Sequence, residues 1–186
     1  MSKTLFMVLM GCKPSGRHTE QHDIFFGVAD SINGLVPAMK SSWPDAGKMH
    51  VDVWRPVTRV DGYRVEVCPR AEIGEESGEL KLFFVNLGGY KDNDFEEYHY
   101  KQLIVAKDID EASRNAKQSP FYHQHISPHI DDKYGIDVDD VYPVEDIMDE
   151  SSRQQFGIVL TAAADGNTVE DKLHIGYLKF SDLEKI

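Results

Sequence analysis

Leu5-Phe6-Met7-Val8-Leu9-Met10-Gly11 and Leu82-Phe83-Phe84-Val85-Asn86-Leu87-Gly88 are two versions of one segment, set 77 residues apart. The match continues outward at the same offset. Glu20-Gln21-His22 returns as Glu97-Tyr98-His99, and Val28-Ala29 as Val105-Ala106. A second block repeats at an offset of 79, where His50-Val51-Asp52 becomes His129-Ile130-Asp131. There Asp61-Gly62-Tyr63-Arg64-Val65 aligns with Asp140-Val141-Tyr142-Pro143-Val144. A fixed period of this kind sets the architecture before any single motif does.

Each apolar run ends at a glycine and reads as a buried strand. In the first copy Lys13-Pro14-Ser15-Gly16 is turn chemistry. Glu20, His22, Ile24, Phe26 and Val28 then alternate along one face of a second strand. Leu35, Met39 and Trp43 make the apolar stripe of a short helix, with Pro37 tolerated in its first turn and Pro44 ending it. In the second copy Asp108 and Glu111 have capping-box spacing, and the helix is expected to run to Ser119. Two further strands follow each helix; Asp61-Gly62 turns the chain into Tyr63, Val65 and Val67.

The expected fold is α+β: two tandem β-β-α-β-β repeats resembling a β-grasp or ubiquitin-like roll, plus a C-terminal β-hairpin. The first repeat spans residues 1–69, a Gly- and Glu-rich connector 70–79, and the second repeat 80–149. The hairpin, from Phe156 to Ala162 and Lys172 to Phe180, occupies 150–186 and packs on the repeats. One repeat alone would bury a marginal core.

The formal net charge of −12 argues against nucleic acid, which needs clustered Lys and Arg, and against an anionic membrane surface. Cys12 and Cys68 form no spaced motif, which fits a reducing cytoplasm. The apolar run near Met1 reads as a strand rather than a leader, because its twin lies mid-chain. There is no phosphate-binding loop, no His-Glu-x-x-His, no Cys-x-x-Cys and no nucleophile elbow.

The repeated polar pairs carry what chemistry there is. On a strand, residues two apart share a side, so Glu20 projects with His22 and Glu97 with His99. Such pairs serve as acid, base or metal ligand, or as a hydrogen-bonded cluster that fixes the turn. These four are the candidate catalytic residues and also the candidate metal ligands. His50 with Asp52, and His129 with Asp131, are candidate ligand-binding pairs; their alternation sets them on a wet face or against the other repeat. If all the pairs converged, imidazole and carboxylate together would suit zinc, manganese or iron. Arg17, beside the first Glu-x-His, is a candidate anion anchor, or a loop arginine that offsets nearby acids. His123, His125 and His129, three imidazoles within seven residues, could bind zinc, yet the first two fall in a stretch, Phe121 to Pro128, that reads as an exposed loop. The acidic run from Asp131 to Asp149 lacks the glycine and glutamate positions of a calcium loop and reads as a solvated face.

Gly16-Arg17 leading into Glu20-Gln21-His22-Asp23, then Leu82 to Tyr90, Phe95-Glu96-Glu97-Tyr98-His99 and His129-Ile130-Asp131-Asp132-Lys133-Tyr134-Gly135, resemble the bacterial domain-of-unknown-function family 1543. The resemblance runs from Leu5 to Ile147. It implies a bacterial, cytoplasmic protein, one or two copies of the domain per chain and a ubiquitin-roll-like fold, and it implies no reaction. Two functions remain. One is a duplicated binding or interaction module for a protein partner, with Tyr98, Tyr100 and Trp54 as its aromatic surface. The other is a metal-dependent or acid/base enzyme acting on a small molecule through the Glu-x-His pairs, with a divalent metal as its cofactor.

Overall fold

The computed structural model describes residues 3–74, 78–124, 126–130, 140–164 and 169–185; for Phe121, Gln124 and 126–130 the description is of the backbone. The chain divides into two compact units, Met1–Ser77 with Ile147–Ile186, and Gly78–Asp146. The first unit opens with β1 (Thr4–Cys12), β2 (Gln21–Ala29), α1 (Val36–Ser42), β3 (Met49–Val57), β4 (Arg59–Val60) and β5 (Tyr63–Pro69). The second holds β6 (Lys81–Tyr90), β7 (Glu97–Ala106), α2 (Ile109–Ala116), α3 (Pro120–Gln124), β8 (Ile126–Ile130) and β9 (Val141–Pro143). After α4 (Val144–Ile147), the first unit resumes with α5 (Glu150–Gln155), β10 (Phe156–Ala162), β11 (His174–Lys179) and α6 (Phe180–Leu183).

β1 is the centre of a sheet ordered β11-β3-β1-β2. Both of its neighbours run antiparallel to it. The passage β2-α1-β3 therefore crosses over β1, a split β-α-β layout rather than a β-grasp roll. Alternation decides the two faces. Phe6, Val8 and Met10 point into a core with Leu35, Met39, Phe180 and Leu183, so α1 and α6 cover this face. Burying each such side chain contributes about 1.5–3 kcal/mol. Pro37 sits in the first turn of α1, after a 3-10 turn at Ile32–Leu35. Gly11, being odd in this register, lies on the opposite face.

The second unit repeats this plan. β6 lies between β7 and β8, and Phe83, Val85 and Leu87 pack with Ala112 and Ala116 of α2. The expected cap holds: Asp108 accepts from the Glu111 amide at 2.8 Å, while Glu111 accepts from the Lys107 amide at 2.7 Å. The helix stops at Ala116, and α3 and β8 occupy the stretch read as a loop.

Three expectations are corrected. The tail strands make no hairpin: β10 pairs with β5 in a separate sheet, and β11 pairs with β3, because each finds an open edge. The second unit has no counterpart of β5 among the described residues. Finally, the 61–65 and 140–144 alignment is not structural. Val141–Pro143 pairs with β6 where Trp54, Arg55 and Pro56 pair with β1, so Pro143 stands opposite Phe83 as Pro56 stands opposite Phe6. The Asp61-Gly62 turn itself forms, with φ of 51° and 79°, the left-handed pair that a tight hairpin needs.

Candidate metal centre

The register brings the histidines together. Gly11 of β1 stands opposite His22 on β2 and opposite His50 on β3. Adjacent strands lie about 4.8 Å apart, so two imidazoles flanking a glycine can meet above it. The vacancy is necessary. A Cβ at Gly11 would lie 2.4 Å from His50 Nε2 and 2.8 Å from an Asp52 carboxylate oxygen.

A β-bulge supplies the next part. The β1–β3 register passes from Leu9↔Val53 to Met10↔Val51, leaving Asp52 as the extra residue. Bulges re-aim side chains in this way beside functional sites. Asp52 Oδ1 is 3.3 Å from His50 Nε2, and its Oδ2 is 3.2 Å from His22 Nε2. Glu20, just ahead of β2, reaches both rings: Oε1 is 3.4 Å from His50 Nε2 and Oε2 is 3.8 Å from His22 Nε2. Glu20, His22 and His50 each present a ligand atom within 4.8 Å of the other two.

The same irregularity continues into β11. Its register on β3 jumps between Ile175 and Leu178, and Gly176 takes φ of 144° in open space. Glycine is required there by backbone conformation, not by room. The kink lays the Tyr177 ring on His50, with centroids 4.3 Å apart. Asp171 anchors the approach to β11 by accepting from the Thr58 amide and hydroxyl, both at 2.6 Å. Glu170 pairs with the buried Arg55.

His50 is consequently 3% exposed. This corrects the wet-face expectation for the His50 and Asp52 pair; Tyr177 above and Gly11 below enclose the ring. Yet His50 Nε2 and Asp52 Oδ2 are buried and have no hydrogen-bond partner. Such atoms are costly unless something satisfies them. Ligands at about 2.0–2.2 Å from a tetrahedral ion lie about 3.3–3.6 Å from one another. The nitrogen–oxygen spans of 3.2–3.8 Å match that spacing. The two carboxylates bring to the cluster a negative charge that a divalent cation balances.

Nearby, Trp54 stacks on His174 at 3.9 Å. These rings line an open cleft of about 500 Å³ with Lys172, Ile175 and Tyr177. Tyr177 belongs both to this cleft and to the cover of His50. Cys12, next to Gly11, is fully buried. Burial, and then the Glu20 carboxylate, push its thiol above the ordinary value.

The other candidates lie elsewhere. Arg17 sits in an exposed turn, its amide donating to the Pro14 carbonyl, and its guanidinium has no ion-pair partner among the described residues. Glu97 and His99 are on β7, with His99 opposite Gly88. His129 stands on the other side of Gly88, on β8. Asp131 and His125 fall outside the described residues, as does much of the acidic run; His123 is exposed at the end of α3. Tyr98 is engaged locally, donating to Asp94 at 2.5 Å under Lys91, 3.9 Å from its ring. Sequence reasoning missed Gly11 and Tyr177 as parts of the site. The return of Gly11 as Gly88 was the available signal for the first; nothing local marks the second.

Residues 17–67 match a family model described as Domain of Unknown Function (DUF1543). That span contains Glu20, His22, His50 and Asp52. A crystal structure of protein Il1583 from Idiomarina loihiensis is similar in fold, with a TM-score of 0.64 at 23% identity. The likeness covers 96% of this chain and 98% of that one. No curated protein matches. No described helix is long and apolar enough to cross a membrane.

Proposed function

We propose that this chain is a divalent-metal-binding protein of the DUF1543 type in its tandem two-copy form. Glu20, His22 and His50 are the ligands, and Asp52 closes the set or orients the two imidazoles. The observation that carries the reading is the buried, unpartnered Nε2 of His50 between two carboxylates. Imidazole nitrogen with carboxylate oxygen suits zinc, manganese or iron. With Asp52 orienting the imidazoles, three protein ligands leave a coordination position open for water or for an oxygen of a bound molecule. The cleft beyond Tyr177 gives a small molecule a place beside that position, which keeps a metal-dependent reaction within reach of this geometry. Elemental analysis of the purified protein tests the proposal. About one equivalent of metal or more is expected, most of it lost in the His22→Ala, His50→Ala double variant. Metal content unchanged in that variant, or no metal and no thermal shift with zinc, manganese or iron, rejects it.

A second reading, an interaction module, is favoured by one feature. The edge strand β11 and its approach expose Leu173 at 49%, Ile175 at 76% and Tyr177 at 65%. An apolar strand edge of this kind accepts an added strand.

A further inference from the structure

We infer that the second unit carries its own divalent-cation site, centred on Gly88 and built from His99, His129 and Glu97. The inference rests on the metal reading of the first unit and extends it to a place that the family match at residues 17–67 does not reach. The argument is one of register. In the first unit, β1 sets Gly11 between His22 and His50. In the second, β6 sets Gly88 between His99 and His129, with both flanking strands antiparallel to it, as in the first. The neighbouring pairs agree where the ladders are regular: Met10↔Val51 corresponds to Leu87↔Ile130, and Cys12↔Gln21 to Gly89↔Tyr98; past Gly88 the β6–β8 register shifts, to Tyr90↔Ile126, whereas β1–β3 continues to Cys12↔Met49.

A one-residue slip on either flanking strand would send a histidine to the other face. At the glycine itself, both ladders therefore hold the same alignment in the two units. Alternation also sets the face. Phe83, Val85 and Leu87 are in the core beneath α2, so Gly88 and its two register partners lie on the opposite side. Gly88 is buried, as Gly11 is. Glu97 opens β7 two residues before His99, repeating Glu20 before His22.

The two sites differ in enclosure. In the first unit β11 extends the sheet beyond β3, whereas among the described residues no strand pairs with the outer edge of β8. An imidazole–carboxylate site without that cover competes with water and protons for its ligands. The second site is therefore the weaker, by tenfold or more in Kd.

The test is a zinc titration of metal-stripped full-length protein by calorimetry. Two classes of site are expected, one equivalent each. His22→Ala with His50→Ala removes the tighter class, His99→Ala with His129→Ala the weaker. His123→Ala with His125→Ala leaves both. Independently of substitution, imidazole nitrogen resonances of the unaltered protein are followed during the titration. His22 and His50 shift first, His99 and His129 at higher zinc. One equivalent alone, lost on changing His22 and His50, overturns the second site and leaves the first standing. Zinc-insensitive His99 and His129 resonances, or loss of the weak class with His123 and His125, also overturn it. No binding at all overturns both.

Discussion

Each unit places a glycine between two histidines on three antiparallel strands, and among the described residues the two differ in what lies at the outer edge. In the first, β3 runs unbroken from Met49 to Val57, bulges at Asp52 and is covered by β11. Among the described residues of the second, the corresponding edge comprises β8 and β9. The pairing of Pro143 with Phe83 shows that β9 resumes what β3 does at Pro56. The two units thus share the alignment that sets the histidines beside the glycine. The stacked tyrosine belongs to the unit that the tail strand β11 joins. A shared register is what makes the constellation possible; the enclosure makes it dry.

The comparison is broken most strongly at the glycines. Gly11→Ala forces a methyl against His50 and Asp52 at less than 3 Å. Overpacking of this kind costs about 1–3 kcal/mol. The expected outcome is a lowered unfolding midpoint together with loss of the tighter zinc site. Gly88→Ala, measured beside it by chemical denaturation, is expected to cost less and to spare the tighter site. An equal cost would mean that the second cluster is packed as closely as the first. A Gly11→Ala protein that binds zinc like its parent would show that the imidazole above the glycine is not a ligand.

Much of this was legible before any coordinates. The apolar runs and their offset located β1 and β6, and the Glu-x-His spacing put Glu20 with His22 and Glu97 with His99. What could not be read was the meeting of His22 with His50. It depends on a crossover that sets β2 and β3 on either side of β1, a choice made by tertiary packing of α1 and α6. Alternation also misplaced His50. Period-2 patterning sorts residues by side; it does not say that a distant strand will cover that side. Tyr177, more than a hundred residues away in sequence, does so. The tail misled for a related reason. Two strand-like segments joined by an Asp-Gly loop look like a hairpin, yet β5 and β3 offered better edges.

A smaller effect sharpens the difference in cover. Tyr177→Ala removes the ring stacked on His50, a contact worth about 0.5–1.5 kcal/mol beyond its buried area. Zinc affinity of the first site is expected to fall roughly tenfold or less, since about 1.4 kcal/mol corresponds to one decade. The weaker class should not move, because Tyr177 belongs to the first unit. Calorimetry with the two classes resolved checks this. A change in the weak class instead would show that the assignment of classes to units is reversed.

The smallest effect is one of rate. Cys12 follows Gly11 on β1 and is buried, with its thiol raised first by burial and then by the Glu20 carboxylate. A raised thiol holds less thiolate at neutral pH, and thiolate is the reactive form. Cys68, half-buried on β5, serves as an internal reference. Iodoacetamide labelling followed by mass spectrometry is expected to modify Cys68 well before Cys12. The sign of the electrostatic part is testable. Glu20→Gln removes the negative charge that disfavours thiolate, so Cys12 should label faster, by a factor of a few, while Cys68 stays the same. If Glu20→Gln leaves the Cys12 rate unchanged, burial alone governs the thiol.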